Sequence, residues 1–262
     1  MSWDKKEEEK VKVESFFKSV TELPPVEGLK VGIYGAPNTG KTHFSLTAPE
    51  PVFVIDTEFG ARLPAKNLNK EKIFIFEALQ LDPETNDVDP IKSLEKIEEA
   101  LRAIIGYIQD HPDERGTIVL DSASDIWQWI GIWLEESPDT KKKDDMILRF
   151  EWGKANKRYL RLIHKLLRSQ WNVVLTGKTQ DVYDAEGKPV LGRVKPRWQK
   201  DTEYWLDIIL KSDIIYPQNK VVPVRRFTIM KCRAWNLTGT LTNPSWNDLV
   251  KFIEEKVGIK IL

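Results

Sequence analysis

The stretch LKVGIYGAPNTGKTHFSLTA, residues 29–48, decides the fold. It opens as an apolar run of strand length, breaks at Gly35 into a loop of small residues, and resumes after Gly40 with a helical pattern. The loop, Gly35-Ala36-Pro37-Asn38-Thr39-Gly40-Lys41-Thr42, fits G-x-x-x-x-G-K-[ST]. Glycines let such a loop curl until successive backbone N–H groups converge on phosphate oxygens where the helix begins. Lys41 is placed to reach the β- and γ-phosphates and the Thr42 hydroxyl to bind Mg²⁺, with His43 next along the chain. A nucleotide and Mg²⁺ are therefore the expected ligands.

On either side of this unit the same alternation continues. VFVID (52–56) and KIFIFE (72–77) read as strands, and a helix follows with apolar Ile91, Leu94, Ile97, Leu101, Ile104 and Ile108 at helical spacing. TIVLDS and WNVVLTGKT are further strands separated by two helices. The C-terminal third reads as antiparallel: a hairpin around EGKP, the strands DIILKSDIIY and VRRFTIMKC, and a closing helix with Asn243 as N-cap, Pro244 at its first position and Gly258 as its stop. The expected class is α/β: a mostly parallel P-loop NTPase sheet with helices on both faces and antiparallel strands toward the C-terminus. Residues 1–28 read as a charged, Pro-containing leader with a short amphipathic segment, VESFFKSV, and 29–262 as one ATPase domain.

Composition narrows the function. Among 262 residues, Lys+Arg and Asp+Glu are both 40, so any nucleic-acid contact needs a local patch. A single cysteine, Cys232, rules out an internal disulfide, and three scattered histidines argue against a metal cluster. No run approaches the roughly 20 apolar residues of a membrane span, and MSWDKKEEEK has no apolar signal core, so the expected location is cytoplasmic.

A phosphate loop needs a partner acid at the tip of another buried strand, and TIVLDS supplies Asp121 as the second Mg²⁺-side group. Guanine recognition is unsupported. Position 124, three after that Asp, is Ser where a GTPase usually has Gly, and GKTQ at 177–180 departs from N-K-x-D at both ends. ATP is the expected nucleotide. VFVIDTEFGA ends in two acids, of which Asp56 sits earlier in the turn and reads as structural.

The order GAPNTGKT, VFVIDTEFG, TIVLDS and NVVLTGKTQ resembles the RecA/KaiC branch of P-loop ATPases over roughly Leu29 to Arg233, and most closely the compact RecA-like single-strand recombination ATPases of phages and archaeal mobile elements. The resemblance implies a RecA-like core in which Glu58 activates the attacking water, and a sensor of the γ-phosphate at Lys178 or Gln180, the register being open by a residue or two. A carboxylate at the C-terminal edge of a parallel strand suits that task, because ligands bind at that edge of such sheets. FTIMKCRAW also resembles the K-x-R pair with which KaiC-like and hexameric-helicase ATPases reach a neighbour's nucleotide. Alternation puts Lys231 and Arg233 on one strand face, and the resemblance implies catalysis in trans within a ring or filament. In RecA-like proteins the loops after the fourth and fifth strands face DNA. Here they hold Lys141, Lys142 and Lys143, offset by Asp144 and Asp145, and the richer stretch Arg193, Lys195, Arg197, Trp198 and Lys200, with Trp198 suited to stacking on an unpaired base.

The expected function is a Mg²⁺-dependent ATPase acting on single-stranded DNA in recombination, annealing or repair. The alternatives are a KaiC-like nucleotide-dependent switch or scaffold that does not bind DNA, and a small-molecule kinase using the same loop.

Overall fold

The computed structural model describes residues 28–144, 146–216, 222–233 and 236–258, together with Ser19. VESFFKSV and the rest of the leader otherwise lie outside the described residues. The chain alternates strand and helix at first: β1 (Lys30–Gly35), α1 (Lys41–Leu46), β2 (Val52–Asp56), α2 (Arg62–Lys66), β3 (Ile73–Glu77), α3 (Pro90–Asp110), β4 (Thr117–Asp121) and α4 (Ala123–Glu136). A small hairpin of β5 (Lys142–Lys143) and β6 (Met146–Ile147) leads through a 3-10 turn to α5 (Trp152–Leu167) and β7 (Asn172–Gly177). Then come the hairpin β8 (Thr179–Tyr183) and β9 (Pro189–Pro196), α6 (Thr202–Trp205), β10 (Ile208–Ile215), β11 (Val224–Cys232), β12 (Thr240–Thr242) and α7 (Trp246–Val257).

Among the described residues, eight strands form one sheet in the order β12-β11-β10-β1-β7-β4-β2-β3, parallel from β10 to β3 and antiparallel at β11 and β12. The expected α/β class is what the structure has. Central strands such as KVGIYG and NVVLTG are buried at every position, as strands covered on both faces must be. One core layer packs Leu94, Ile97, Ile126, Tyr159 and Ile163 of α3, α4 and α5 against one face. The other packs Phe44, Ala61, Trp246, Leu249 and Ile253 of the α1, α2 and α7 region against the opposite face.

Parallel strands bring their C-terminal ends to one edge of the sheet. Gly35 ends β1, Asp56 ends β2, Asp121 ends β4 and Gly177 ends β7, so four loops distant in sequence open onto one rim. The closing helix starts later than expected. Ser245 is its N-cap, in a reciprocal capping box with Asp248, and Gly258 ends it at φ 73°. Asn243 instead takes a left-handed φ of 46° and fixes a turn: its Oδ1 accepts from the Arg225 amide at 2.8 Å and its own N–H donates to the Arg225 carbonyl at 2.7 Å.

Candidate nucleotide-binding site

The rim carries a cleft of about 570 Å³ lined by Gly35, Pro37, Asn38, Gly40, Lys41, Thr42 and His43 on one side and by Glu58, Asp121, Ser122 and Lys178 on the other. The loop's shape depends on two glycines. Gly40 sits at φ 91°, and a Cβ there would lie 2.4 Å from Arg225 Cδ; one on Gly35 would lie 2.2 Å from Ser212 Oγ. Thr39 ties the loop down through Ser212 Oγ at 2.7 Å and the Ala36 carbonyl at 2.9 Å. Lys41 Nζ donates to the carbonyls of Gly35 and Ala36 at 2.9 and 2.8 Å, and burial lowers its pKa.

Thr42 and Asp121 come together as expected. Thr42 Oγ1 donates to Asp121 Oδ2 at 2.5 Å, and Thr176 from β7 donates to the other carboxylate oxygen. Burial pushes the Asp121 carboxyl above its ordinary range, with Asp56 adding to the push and the two threonine hydroxyls opposing it. A hydroxyl beside a buried carboxylate is a hard-oxygen pair that fits Mg²⁺, which would lift the burial penalty on the anion and complete its shell with phosphate oxygens and water. ATP and Mg²⁺ therefore suit the residues present.

Asp56 has the structural place expected of it. It is fully buried, and its two oxygens accept from the amides of Glu58 (3.0 Å), Gly60 (3.2 Å) and Ala61 (2.8 Å). This cage holds the turn that presents Glu58 at the cleft. Glu58 Oε1 meets Lys178 Nζ at 2.8 Å, and the same ammonium reaches Asp125 Oδ1 at 2.6 Å. Burial raises the Glu58 pKa, only partly offset by Lys178. Burial would also raise Asp125, but Lys178, Ser122 and Thr57 together hold it below the usual carboxylate value. Lys178 is the candidate sensor that lines the cleft. Gln180 is directed away, its amide donating to the Pro196 carbonyl at 3.0 Å across the β8–β9 hairpin.

The model of the AAA domain family matches residues 27–235. The chain belongs to that family. It is thus a nucleotide-binding domain of the P-loop ATPase type. No curated protein sequence matches it. Among solved structures, it is similar to a KaiC-like protein from the hyperthermophilic archaeon Pyrococcus horikoshii OT3, at 16% identity and a TM-score of 0.43, over 82% of this chain and 85% of that one.

In this AAA domain Trp198 needs correction as a base-stacking residue, and Arg197, Lys231 and Arg233 take places that the sequence alone left open. Trp198 is 4% exposed, so it offers no face to a base. Its ring fills a slot left by two glycines: a Cβ on Gly177 would come 2.7 Å, and one on Gly32 2.9 Å, from ring atoms, and Tyr34 meets it edge-on at 6.2 Å. Arg197 lines the nucleotide cleft instead and donates to Gln128 Oε1 at 2.9 Å, while Arg193, Lys195 and Lys200 are exposed. Lys231 and Arg233 stand at the opposite end of the sheet from the phosphate loop. β11 runs antiparallel to β10, so Cys232 pairs with Ile208, whereas Ser212 is the residue beside Gly35. There Lys231 donates to the carbonyls of Glu203 and Leu206, and Arg233 to the carbonyl of Tyr204 and to Asp207 at 3.3 Å.

Sequence reasoning also missed residues. Arg225, at the near end of β11, packs its side chain on Gly40, and its positive charge adds to burial in lowering the His43 pKa. Asp125 and Thr57 complete the carboxylate–lysine network: Thr57 Oγ1 donates to Asp125 at 2.9 Å and Ser122 Oγ donates at 2.8 Å. The signal for Asp125 was its place three residues after Ser122, the S-x-x-D spacing of a helix start.

Proposed function

We propose that this domain hydrolyses ATP, with Glu58 as the base for the attacking water. The observation that carries the reading is the placement of Glu58, a carboxylate of raised basicity held at the cleft by the Asp56 cage, across from Lys41 and the Thr42–Asp121 pair. The loop amides and Lys41 would bind the triphosphate, and Thr42 and Asp121 would hold Mg²⁺, which would neutralise charge on the phosphate oxygens. Glu58 takes a proton from water as its oxygen bonds to the γ-phosphorus and the bond to the bridging oxygen breaks, leaving ADP. Glu58→Gln keeps the shape and loses the base. ATP should bind within a few-fold of wild type while kcat falls about 10²–10⁴-fold; a variant that keeps wild-type turnover refutes the assignment.

We further infer membership of the RecA/KaiC branch, in a subunit that works beside copies of itself on single-stranded DNA in recombination or annealing. Supporting this, Arg193, Lys195 and Lys200 are exposed on and after a hairpin that starts one residue past Lys178. Lys231 and Arg233 lie too far along the sheet to serve their own phosphate loop, so a nucleotide role for them is one in trans. Mixing Arg233→Ala with Lys41→Ala subunits tests this, since partial recovery of hydrolysis requires a shared site. Stimulation of hydrolysis by oligothymidine that is lost in Lys195→Ala supports the DNA role; its absence favours a nucleotide-dependent switch.

A further inference from the structure

Between Glu151 and Asp181 the chain contains no aspartate or glutamate, although acids and bases balance over its whole length. Most of that stretch is α5. At about 100° per residue, Lys154, Lys157, Arg158, Arg161, Lys165 and Arg168 fall within one stripe roughly 100° wide, beside the buried face formed by Ala155, Tyr159, Leu162, Ile163 and Leu166. The stripe borders a groove of about 530 Å³ that reaches Glu98 of α3 and Trp133 of α4.

The cations are not alike. Arg158 is spent locally, bonded to Glu98 at 2.8 Å and lying 4.6 Å over the Trp133 ring, and Lys154 pairs with Glu151 at 2.6 Å. Lys157, Arg161 and Lys165 are exposed and have no carboxylate partner among the described residues. Four residues separate each from the next, a rise of about 6 Å per step. They project side by side, whereas a small phosphate ligand calls for donors that converge. We propose that this row is a track for the backbone of single-stranded nucleic acid, whose successive phosphates repeat at a comparable separation. An extended acidic peptide can present same-side carboxylates at roughly 6.6 Å, but only where every second residue is acidic, whereas a nucleic-acid backbone carries a charge at every phosphate. Arg158 lies over one face of the Trp133 ring, and contacts to phosphates carry no sequence information, so the track should be indifferent to sequence.

This surface is separate from the nucleotide cleft and from the β8–β9 hairpin, and the inference stands or falls without the ATPase assignment. The test uses the full-length protein and a fluorescent oligothymidine, with binding titrated from 50 to 200 mM salt. Replacing Lys157, Arg161 and Lys165 together by Ala should lower the slope of log K against log salt by about 2, at roughly 0.7 per phosphate contact. Over that fourfold salt range the wild type should then lose about twenty-fold more affinity than the variant. The variant should keep the wild-type melting temperature and basal phosphate release, since all three side chains are exposed and none lines the cleft. Arg193→Ala/Lys195→Ala measures the hairpin's own share. An unchanged slope in the α5 variant, no oligothymidine binding by the wild type, or a stripe-dependent preference for poly-glutamate over oligothymidine overturns the proposal.

Discussion

Lys178→Met breaks two contacts at once, 2.8 Å to Glu58 and 2.6 Å to Asp125, and the two should respond differently. Asp125 is the buried partner, with an 11% exposed side chain, and is left with the hydroxyls of Thr57 and Ser122. Breaking a fully buried pair costs about 3–5 kcal/mol. The Lys178 side chain is 42% exposed, and the surviving hydroxyls still solvate the anion, so solvent screening brings the expected loss to about 1–2 kcal/mol. For a chain of this size that is a fall in Tm of about 2–8 °C. Because the folded-state pKa of Asp125 is depressed, this stability is present at neutral pH and is lost only as pH falls through that depressed value. Glu58 bears on rate. Its pKa is already raised by burial against the pull of Lys178, so removing the ammonium raises it further and shifts the acid limb of the kcat/KM profile to higher pH. Lys178→Arg should restore both properties in large part. Thermal melts and a pH–rate series on the two variants decide the matter: an acid limb that stays put or moves to lower pH, with ATP affinity intact, refutes Glu58 as the titrating base.

Asp121→Asn should raise Tm at pH 7 while abolishing Mg²⁺-dependent tightening of ATP binding. Burial has raised the folded-state pKa of Asp121, so the anion is a liability above it, and the variant's advantage should shrink on acidification as the wild type takes up a proton. Trp198→Ala should cost about 3–5 kcal/mol by calorimetry or denaturant titration, because the slot beneath Gly32 and Gly177 cannot collapse onto the lost ring; a change confined to DNA affinity would contradict its buried placement. Arg225→Ala should weaken binding of ATP more than of AMP, by about tenfold for one lost charge-assisted contact. Equal weakening of both nucleotides in isothermal titration would mean that Arg225 serves the loop's shape instead.

What the sequence made legible was what is contiguous. The phosphate loop lies within eight residues, and the apolar strands around it announce a sheet buried on both sides, so class and principal site follow from local pattern. Trp198 was misjudged because its neighbours in the chain, Arg197, Gln199 and Lys200, are polar, whereas the cavity that swallows it is made by glycines on two other strands. Arg225 was passed over for Lys231 and Arg233 because alternation along a strand says which side a residue faces and nothing about which end of the sheet it reaches. Only the antiparallel pairing of β11 with β10 decides that. The late start of α7 was readable, since Ser245 with Asp248 three places on is the capping-box spacing, but Asn243 followed by Pro244 offered an equally regular start.

The two acids that end VFVIDTE show how one strand tip divides structure from chemistry. Asp56 is fully buried and accepts three backbone N–H bonds, so it fixes the turn and does not reach the water of the cleft. Glu58, two residues on, stands at the cleft with the half-exposed ammonium of Lys178 as its ion-pair partner. A base must be both placed and able to reach the cleft. The turn divides the two demands: Asp56 provides placement, and Glu58, whose carboxyl burial pushes above its ordinary range, provides basicity. Lys178 sets how far that basicity rises, since it is shared between Glu58 and the more deeply buried Asp125. Any movement of the β7–β8 junction that shifts the ammonium toward Asp125 therefore leaves Glu58 the stronger base, which couples the hairpin's position to the chemistry at the cleft.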